Sequence, residues 1–177
     1  MTKDRSSYKL NNFDKIFKNI CIKYTPSSVL EIGLLDGYSL NSFVKNTDKL
    51  TSIVGIDLFE NYEYKNSNYS FITNKFKDCN NVKILKDSFY EYYKKAIKFD
   101  IIHIDISNDG DIYKFALQNY FPLVNKALIM EGGSRERDNV EWMIKFDKKP
   151  INPYLMSIQK KYKIEIIEKF PSLTIIS

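Results

Sequence analysis

The sequence predicts an α/β protein in which strands of a mostly parallel sheet alternate with helices on both faces. Two observations lead to this prediction. A short apolar strand runs into a turn bounded by Gly33 and Gly37, and apolar residues at helical spacing follow at once. Two later apolar runs end in the acids Asp57 and Asp105. Ligands of parallel α/β sheets bind beyond the carboxyl ends of the strands, so this edge is the expected site.

Length and composition favour a single domain over residues 1–177, with residues 1–10 as a flexible lead-in. No apolar run reaches the ~18 residues that a membrane span needs, and the polar start is followed by no signal-peptide core. Cys21 and Cys79 have neither metal-ligand spacing nor the pattern of a disulfide framework. We therefore expect a cytoplasmic protein with no membrane partner.

The net charge of +5 comes from 27 basic residues, of which only three are arginines. The lysines are spread along the chain without a long basic block, so the sequence does not indicate a nucleic-acid partner. Whether the chain forms a homo-oligomer is left open.

The spacing of the glycine turn distinguishes between cofactor classes. A dinucleotide fingerprint has the pattern G-x-G-x-x-G, whereas this chain has Glu31-x-Gly33-x-x-x-Gly37. The pattern resembles motif I of the class I S-adenosylmethionine (SAM) dependent methyltransferases. The resemblance implies that the loop passes beneath the methionine part of SAM and that Glu31 lies near its amino group. An NAD(P) oxidoreductase is correspondingly disfavoured.

The resemblance covers about residues 27–177 and implies a Rossmann-like sheet of seven strands with helices on both faces. The implied strand order is 3-2-1-4-5-7-6, with strand 7 antiparallel. We expect the strands within residues 29–32, 51–59, 82–85, 99–105, 126–130, 163–168 and 173–176.

Further cofactor contacts follow from the same resemblance. Asp57, at the end of the second strand, matches the acid that binds the ribose hydroxyls, and Leu58 would lie against the adenine. Asp87 and Ser88 follow the third strand and match the motif that contacts the adenine amino group. Asp105 ends the fourth strand and would lie beside the methyl end of SAM.

The fourth strand, Phe99 to Asp105, resembles motif IV of the small-molecule O-methyltransferase branch. His103 should lie on the same face as Asp105 because side chains alternate along a strand. It is either a strand histidine held by a neighbour or a general base that titrates in the useful range. That branch usually carries a second histidine where this chain has Asn108.

Asp105 and Glu131 end neighbouring strands in the implied order and are the main candidates for catalysis. Together they could hold a divalent metal such as Mg²⁺, which prefers oxygen ligands. The alternative is that one acid lies near SAM and the other makes structural hydrogen bonds.

The segment after the fifth strand contains Arg135, Arg137 and Trp142, two of the three arginines and the only tryptophan. Guanidinium groups suit carboxylates and phosphates, and an indole suits a flat ring. We predict that these residues bind a small acceptor, sugar-like or anionic, which receives the methyl group on a hydroxyl. A solvated helix start is the alternative for the segment, and a SAM- or nucleotide-binding protein without transferase activity is the alternative for the chain.

Overall fold

A computed structural model describes residues 5–59 and 67–177 of the chain, and its centre is a seven-stranded sheet. The strand order is β3-β2-β1-β4-β5-β7-β6, which confirms the predicted order. Strands β1 to β5 are parallel, and β7 runs antiparallel to both β5 and β6. The strands are β1 Ser28–Ile32, β2 Ser52–Asp57, β3 Val82–Lys86, β4 Phe99–Ile104, β5 Val124–Glu131, β6 Ile164–Ile167 and β7 Leu173–Ile176.

Helices cover both faces of this sheet, because the central strands carry apolar side chains on both sides. One face packs against helices from the first half of the chain, and the other against helices from the second half. The helices are α1 Ser7–Leu10, α2 Asp14–Tyr24, α3 Tyr38–Asn46, α4 Tyr69–Lys75, α5 Phe89–Tyr92, α6 Gly110–Asn119, α7 Arg135–Asp138, α8 Glu141–Lys145 and α9 Asn152–Ile158, with a 3₁₀ turn at Phe121–Leu123.

The N-terminal segment differs from the prediction of a flexible lead-in. Residues 7–10 form α1, capped by Ser6, whose hydroxyl accepts from the backbone N–H of Lys9. Tyr8 is only 1% exposed and packs edge-on against Phe17, so burial of a large aromatic ring holds this segment in place. The rest of the predicted lead-in, residues 1–4, lies outside the described residues, as do residues 60–66.

The helix after β3 is shorter than its apolar pattern predicts. Apolar residues continue at helical spacing from Phe89 to Ile97, but α5 ends at Tyr92 and Ile97 is 74% exposed. In the part of the chain that the structure describes, no helix combines the length and the apolar character needed to cross a bilayer.

Asp100 joins three strands at the edge of the sheet opposite the strand-end acids. Its Oδ2 accepts from the backbone N–H of Ser27 at 2.8 Å and lies 3.1 Å from Nζ of Lys126, while Oδ1 accepts from Asn125 at 3.3 Å. Burial alone would raise the pKa of Asp100, but the hydrogen bonds, first of all that from Ser27, outweigh it and lower the pKa to about 2.

This lowered pKa predicts how stability depends on pH. Because the carboxylate is favoured in the folded state, its stabilisation is present above the unfolded pKa of ~3.9 and is lost as the pH falls towards 2. Between pH 5 and pH 2 the wild type should lose roughly 2 kcal/mol more unfolding free energy than Asp100→Asn. Urea titrations at several pH values measure this difference. Asp111→Asn removes an exposed carboxylate and is the matched control, which should titrate like the wild type.

Candidate active site

The parallel ladder gathers the predicted site residues at one edge of the sheet. Backbone hydrogen bonds continue past the last paired residues there: Gly33 donates to Ile56, and Asp105 donates to Ile32. The same pattern links the N–H of Asp87 to the carbonyl of Asp57 at 3.0 Å. The turn after β1 and the acids that end β2 to β5 therefore occupy adjacent positions along a single edge.

The two glycines of the turn have positive φ, +89° for Gly33 and +67° for Gly37. Their surroundings show why side chains are excluded. A Cβ on Gly33 would lie 2.2 Å from the carbonyl oxygen of Asp105, and one on Gly37 would lie 3.0 Å from the ring of Phe76. Both glycines thus permit close packing within the protein, and Gly33 lets the turn after β1 touch the end of β4.

Glu31 lies one residue before the end of β1 and is fully buried. Its Oε1 accepts a short hydrogen bond from the hydroxyl of Ser39, in the first turn of α3, and lies 3.7 Å from Nδ1 of His103. Its other oxygen, Oε2, has no hydrogen-bond partner among the described residues. A buried carboxylate oxygen without a donor is costly, so this atom marks a place where a cationic ligand would be stabilised.

His103 is enclosed by aromatic rings instead of facing the open edge of the sheet. The ring centroids of Tyr8, Phe17 and Phe43 lie 5.9, 5.6 and 5.7 Å from that of its imidazole, and the side chain is fully buried. Its Nε2 is 3.3 Å from the hydroxyl of Tyr8. This enclosed position favours the interpretation of His103 as a strand histidine held by its neighbours.

Asp57 has both carboxylate oxygens fixed by backbone donors. Oδ2 accepts from the N–H of Leu34 at 2.7 Å, and Oδ1 accepts from the N–H of Phe59 at 2.9 Å. Each carboxylate oxygen has a second lone pair. The hydrogen bonds therefore orient Asp57 towards the glycine turn and leave it able to accept from further hydroxyl groups. Leu58 follows it and is half-buried.

Asp87 and Ser88 are already engaged in local structure. The hydroxyl of Ser88 accepts from the N–H of Tyr90 at 3.1 Å and caps α5. Oδ1 of Asp87 accepts from the N–H of Ser88 at 2.8 Å, and Oδ2 pairs with Nζ of Lys95 at 2.6 Å. Lys95 is mostly exposed, so its pairing with Asp87 is weak. A ligand could take its place.

Asp105 and Glu131 meet at the carboxyl ends of β4 and β5, where their carboxyl groups are within hydrogen-bonding reach. Burial, followed by the negative charge of Glu131, raises the pKa of Asp105 well above its usual range. Two adjacent carboxyl groups that are shielded from water resist joint ionisation, so this environment favours the neutral form of Asp105.

Arg137 provides the positive charge that balances this pair. Its side chain is 93% buried, and Nη2 donates to Oε1 of Glu131 at 2.9 Å. The guanidinium lies over the ring of Trp142 at 4.7 Å and that of Phe170 at 5.3 Å. Nη1 is buried and has no hydrogen-bond partner in the described part of the chain.

The two arginines that are predicted to bind the acceptor point in different directions. Arg135 is exposed, whereas Arg137 turns inwards. They are two residues apart in α7, and side chains at that spacing lie on opposite sides of a helix. One ring face of Trp142, expected to bind the acceptor, is instead covered by Arg137.

Asn108 completes the surroundings of Arg137. With its amide oriented so that each atom meets a complementary partner, its oxygen accepts from Nε and Nη2 of Arg137, and its nitrogen donates to the carbonyl of Glu131 at 2.9 Å. Asn108 is 2% exposed. Asn108 stands where the small-molecule O-methyltransferase branch usually has a histidine, and here it helps to fix the guanidinium of Arg137.

Comparisons with known proteins agree with this fold. The family model for FtsJ-like methyltransferase matches residues 2–172. The chain belongs to the FtsJ-like methyltransferase family. No curated protein matches the sequence. Among solved structures, a methyltransferase from Geobacter sulfurreducens is 15% identical with a TM-score of 0.67, and the match covers 98% of this chain and 78% of that one.

Two further solved structures resemble this methyltransferase. An O-methyltransferase from Bacillus cereus, solved in complex with SAH, is 16% identical with a TM-score of 0.64, and the match covers 99% of this chain and 83% of that one. A Clostridium thermocellum protein provisionally named an rRNA-methylase is 14% identical with a TM-score of 0.62, and the match covers 100% and 99% of the two chains. At these identities the likeness shows the fold. Together with the family match, it identifies a SAM-dependent methyltransferase of class I fold.

The strand-end residues of the methyltransferase fit SAM. The unpartnered Oε2 of Glu31 suits an ammonium group, and the spare lone pairs of Asp57 suit a ribose diol. These assignments match those implied by the sequence motifs and remain predictions.

A divalent metal fits this site poorly, in contrast to the hypothesis of Mg²⁺ between Asp105 and Glu131. The two carboxyl groups do meet, but Glu131 is paired with a buried guanidinium, and the oxygen of Asn108 is turned towards the same cation. Residues 5–59 and 67–177 contain no group of three or more His, Cys, Asp or Glu side chains placed to hold a metal. The positive charge beside Asp105 and Glu131 is that of Arg137, a residue of the methyltransferase itself.

Sequence reasoning overlooked two contributors to the site. Tyr8 lies in the segment expected to be flexible, yet burial and then the nearby charges of Asp105 and Glu131 raise its pKa well above the usual value. Arg5 forms a bidentate ion pair with Asp36, which lies in the glycine turn. Only the aromatic run Tyr8, Phe13, Phe17 signalled that this segment packs against the sheet.

Proposed function

We propose that the protein transfers a methyl group from SAM to a hydroxyl of a small acceptor, which is sugar-like or anionic. The observation that carries this proposal is the partly buried pair of Asp105 and Glu131 beside the buried Arg137, at the strand ends where the methyl end of SAM is expected. Catalysis of this transfer needs alignment of the acceptor and removal of its proton.

Bound SAM supplies a methyl group that is already activated by its positively charged sulfur. Glu131, ion-paired with Arg137, is the carboxylate that would accept the proton of the acceptor hydroxyl, while the methyl group would leave the sulfur of SAM and SAH would be released. The neutral form of Asp105, which burial and the charge of Glu131 favour, would donate a hydrogen bond to Glu131 and fix the orientation of the base. The unpartnered Nη1 of Arg137 is a donor suited to an oxygen of the acceptor.

The surroundings of Arg137 support the acceptor class. The ring of Phe170 is 36% exposed, so a partly open apolar surface borders the cation. A small molecule with a ring or sugar face and a carboxylate or phosphate would satisfy both features. We therefore infer an acceptor held through Arg137, with Trp142 acting by stacking against the guanidinium.

RNA is a second candidate acceptor, and one observation favours it. The C. thermocellum protein provisionally named an rRNA-methylase aligns over nearly the full length of both chains, whereas the G. sulfurreducens and B. cereus proteins are longer than this one. The net charge of +5 is compatible with a phosphate-rich partner.

Radiolabelled SAM separates these functions in one assay. The protein is incubated with [methyl-³H]SAM and either a small-metabolite extract or deproteinised total RNA, and transfer is followed by mass spectrometry or by acid-precipitable counts. Label in a small hydroxylated product supports the proposal, and label in RNA supports the second candidate. Binding of SAM without transfer to either fraction would indicate a SAM-binding protein without transferase activity.

Asp57→Ala tests the cofactor half of the proposal. We expect it to weaken SAM binding by about tenfold, equivalent to ~1.4 kcal/mol, because the ribose loses its acceptor. Isothermal titration calorimetry measures this change, with the exposed Asp111→Asn as control. Equal affinity in folded Asp57→Ala and the wild type would place the ribose elsewhere.

A further inference from the structure

Arg137 is buried to an extent that is unusual for an arginine, and its contacts fix the guanidinium in one place. The residue is 6% exposed. Aromatic rings of Trp142 and Phe170 lie at 4.7 and 5.3 Å, and Glu131 accepts from Nη2 at 2.9 Å. Buried arginines are retained where their charge is paired or used.

The position of this cation coincides with that of a possible divalent ion. Asp105, Glu131 and the amide oxygen of Asn108 would be three oxygen ligands of the kind that Mg²⁺ or Mn²⁺ prefers. The guanidinium pairs with Glu131 and donates hydrogen bonds to the amide oxygen of Asn108. A divalent ion at the same carboxylates would face a fixed like charge at close range in a buried site, where repulsion is strong.

We propose that Arg137 is the built-in cation of the acceptor site, which takes the electrostatic place of a divalent metal and excludes one from Asp105 and Glu131. In this role it neutralises Glu131, and Nη1 is left to hydrogen-bond to the acceptor oxygen. The part that concerns the acceptor rests on the proposed methyl transfer, whereas the exclusion of metal does not.

Mn²⁺ binding tests the exclusion without acceptor or SAM. Free Mn²⁺ is measured by electron paramagnetic resonance during titration of the full chain as wild type, Arg137→Lys and Arg137→Met. We expect wild type and Arg137→Lys to bind Mn²⁺ weakly and alike, since both keep the charge. Arg137→Met should bind one Mn²⁺ at least ~10-fold more tightly, because the repulsion is removed and the oxygens of Glu131 and Asn108 are released to act with Asp105.

Further variants locate the ion and guard against misfolding. Glu131→Gln added to Arg137→Met should abolish the gained site. Arg137→Gln, which keeps a polar planar group, serves if circular dichroism shows that Arg137→Met is unfolded. Arg135→Met, which removes an exposed charge from the same helix, should leave Mn²⁺ binding at the wild-type level.

Two outcomes would overturn the proposal. One is tight binding of a single Mn²⁺ by the wild type that is lost in Glu131→Gln. The other is the absence of any gain in folded Arg137→Met and Arg137→Gln. Failure of SAM binding or of methyl transfer would refute the proposed function instead and would leave the Mn²⁺ result unaffected. If transfer does occur, turnover should be unchanged by excess EDTA and should fall in Arg137→Met more than in Arg135→Met.

Discussion

Replacing Glu131 by Gln should lower kcat for methyl transfer by at least ~10²-fold, the usual contribution of a positioned general base. The substitution retains the size and the planar shape of the side chain but removes the charge that pairs with Arg137 and accepts the proton. The affinity for SAM should remain within a few-fold of that of the wild type, because the residues expected to hold SAM lie at the carboxyl ends of β1 to β4. Glu141→Gln changes an exposed glutamate in α8 and is the matched control, with kcat near that of the wild type.

The same experiment separates the roles of the two carboxyl groups. Burial and the charge of Glu131 raise the pKa of Asp105 and so favour its neutral form, which Asn mimics closely. Asp105→Asn should therefore reduce kcat less than Glu131→Gln does. The reverse order would make Asp105 the proton acceptor, and unchanged turnover in both variants would remove the pair from the mechanism.

The order of the sheet could be predicted from the sequence because each strand carries its own signal. Apolar runs ending in Asp57 and Asp105 locate two strands, and the glycine turn locates a third. The register of the parallel ladder then forces the acids to one edge, so the meeting of Asp105 and Glu131 followed from topology alone.

What could not be predicted depends on the direction of individual side chains. Arg135 and Arg137 are alike in sequence, and only the phase of a four-residue helix decides that one of them is buried. The choice of Arg137 as the partner of Glu131 also requires Phe170, more than 30 residues away, to lie on the guanidinium. The burial of Tyr8 likewise depends on long-range packing against His103.

The role of Gly33 illustrates the same limit, and it leads to a prediction with a large effect. The motif suggests that the glycine makes room for SAM. In the structure, a Cβ added to Gly33 would lie 2.2 Å from the carbonyl oxygen and 2.8 Å from the carbonyl carbon of Asp105. Both atoms are backbone and cannot move aside without shifting the end of β4. With φ at +89°, an alanine would also be strained irrespective of the space.

Gly33→Ala should therefore lower the unfolding free energy by roughly 3–5 kcal/mol in the absence of any ligand, since backbone strain and overpacking each cost ~1–3 kcal/mol. Gly55→Ala is the control: its φ is not positive and its nearest neighbours, at 3.1 Å, are the methyl groups of Ile84 and Leu34, so a loss of ~1 kcal/mol or less is expected. Urea denaturation without SAM measures both. A Gly33→Ala variant that is as stable as the wild type but fails to bind SAM would show that the glycine serves the ligand. A variant that is destabilised without ligand would show that it serves the contact between β1 and β4 on which the position of Asp105 depends.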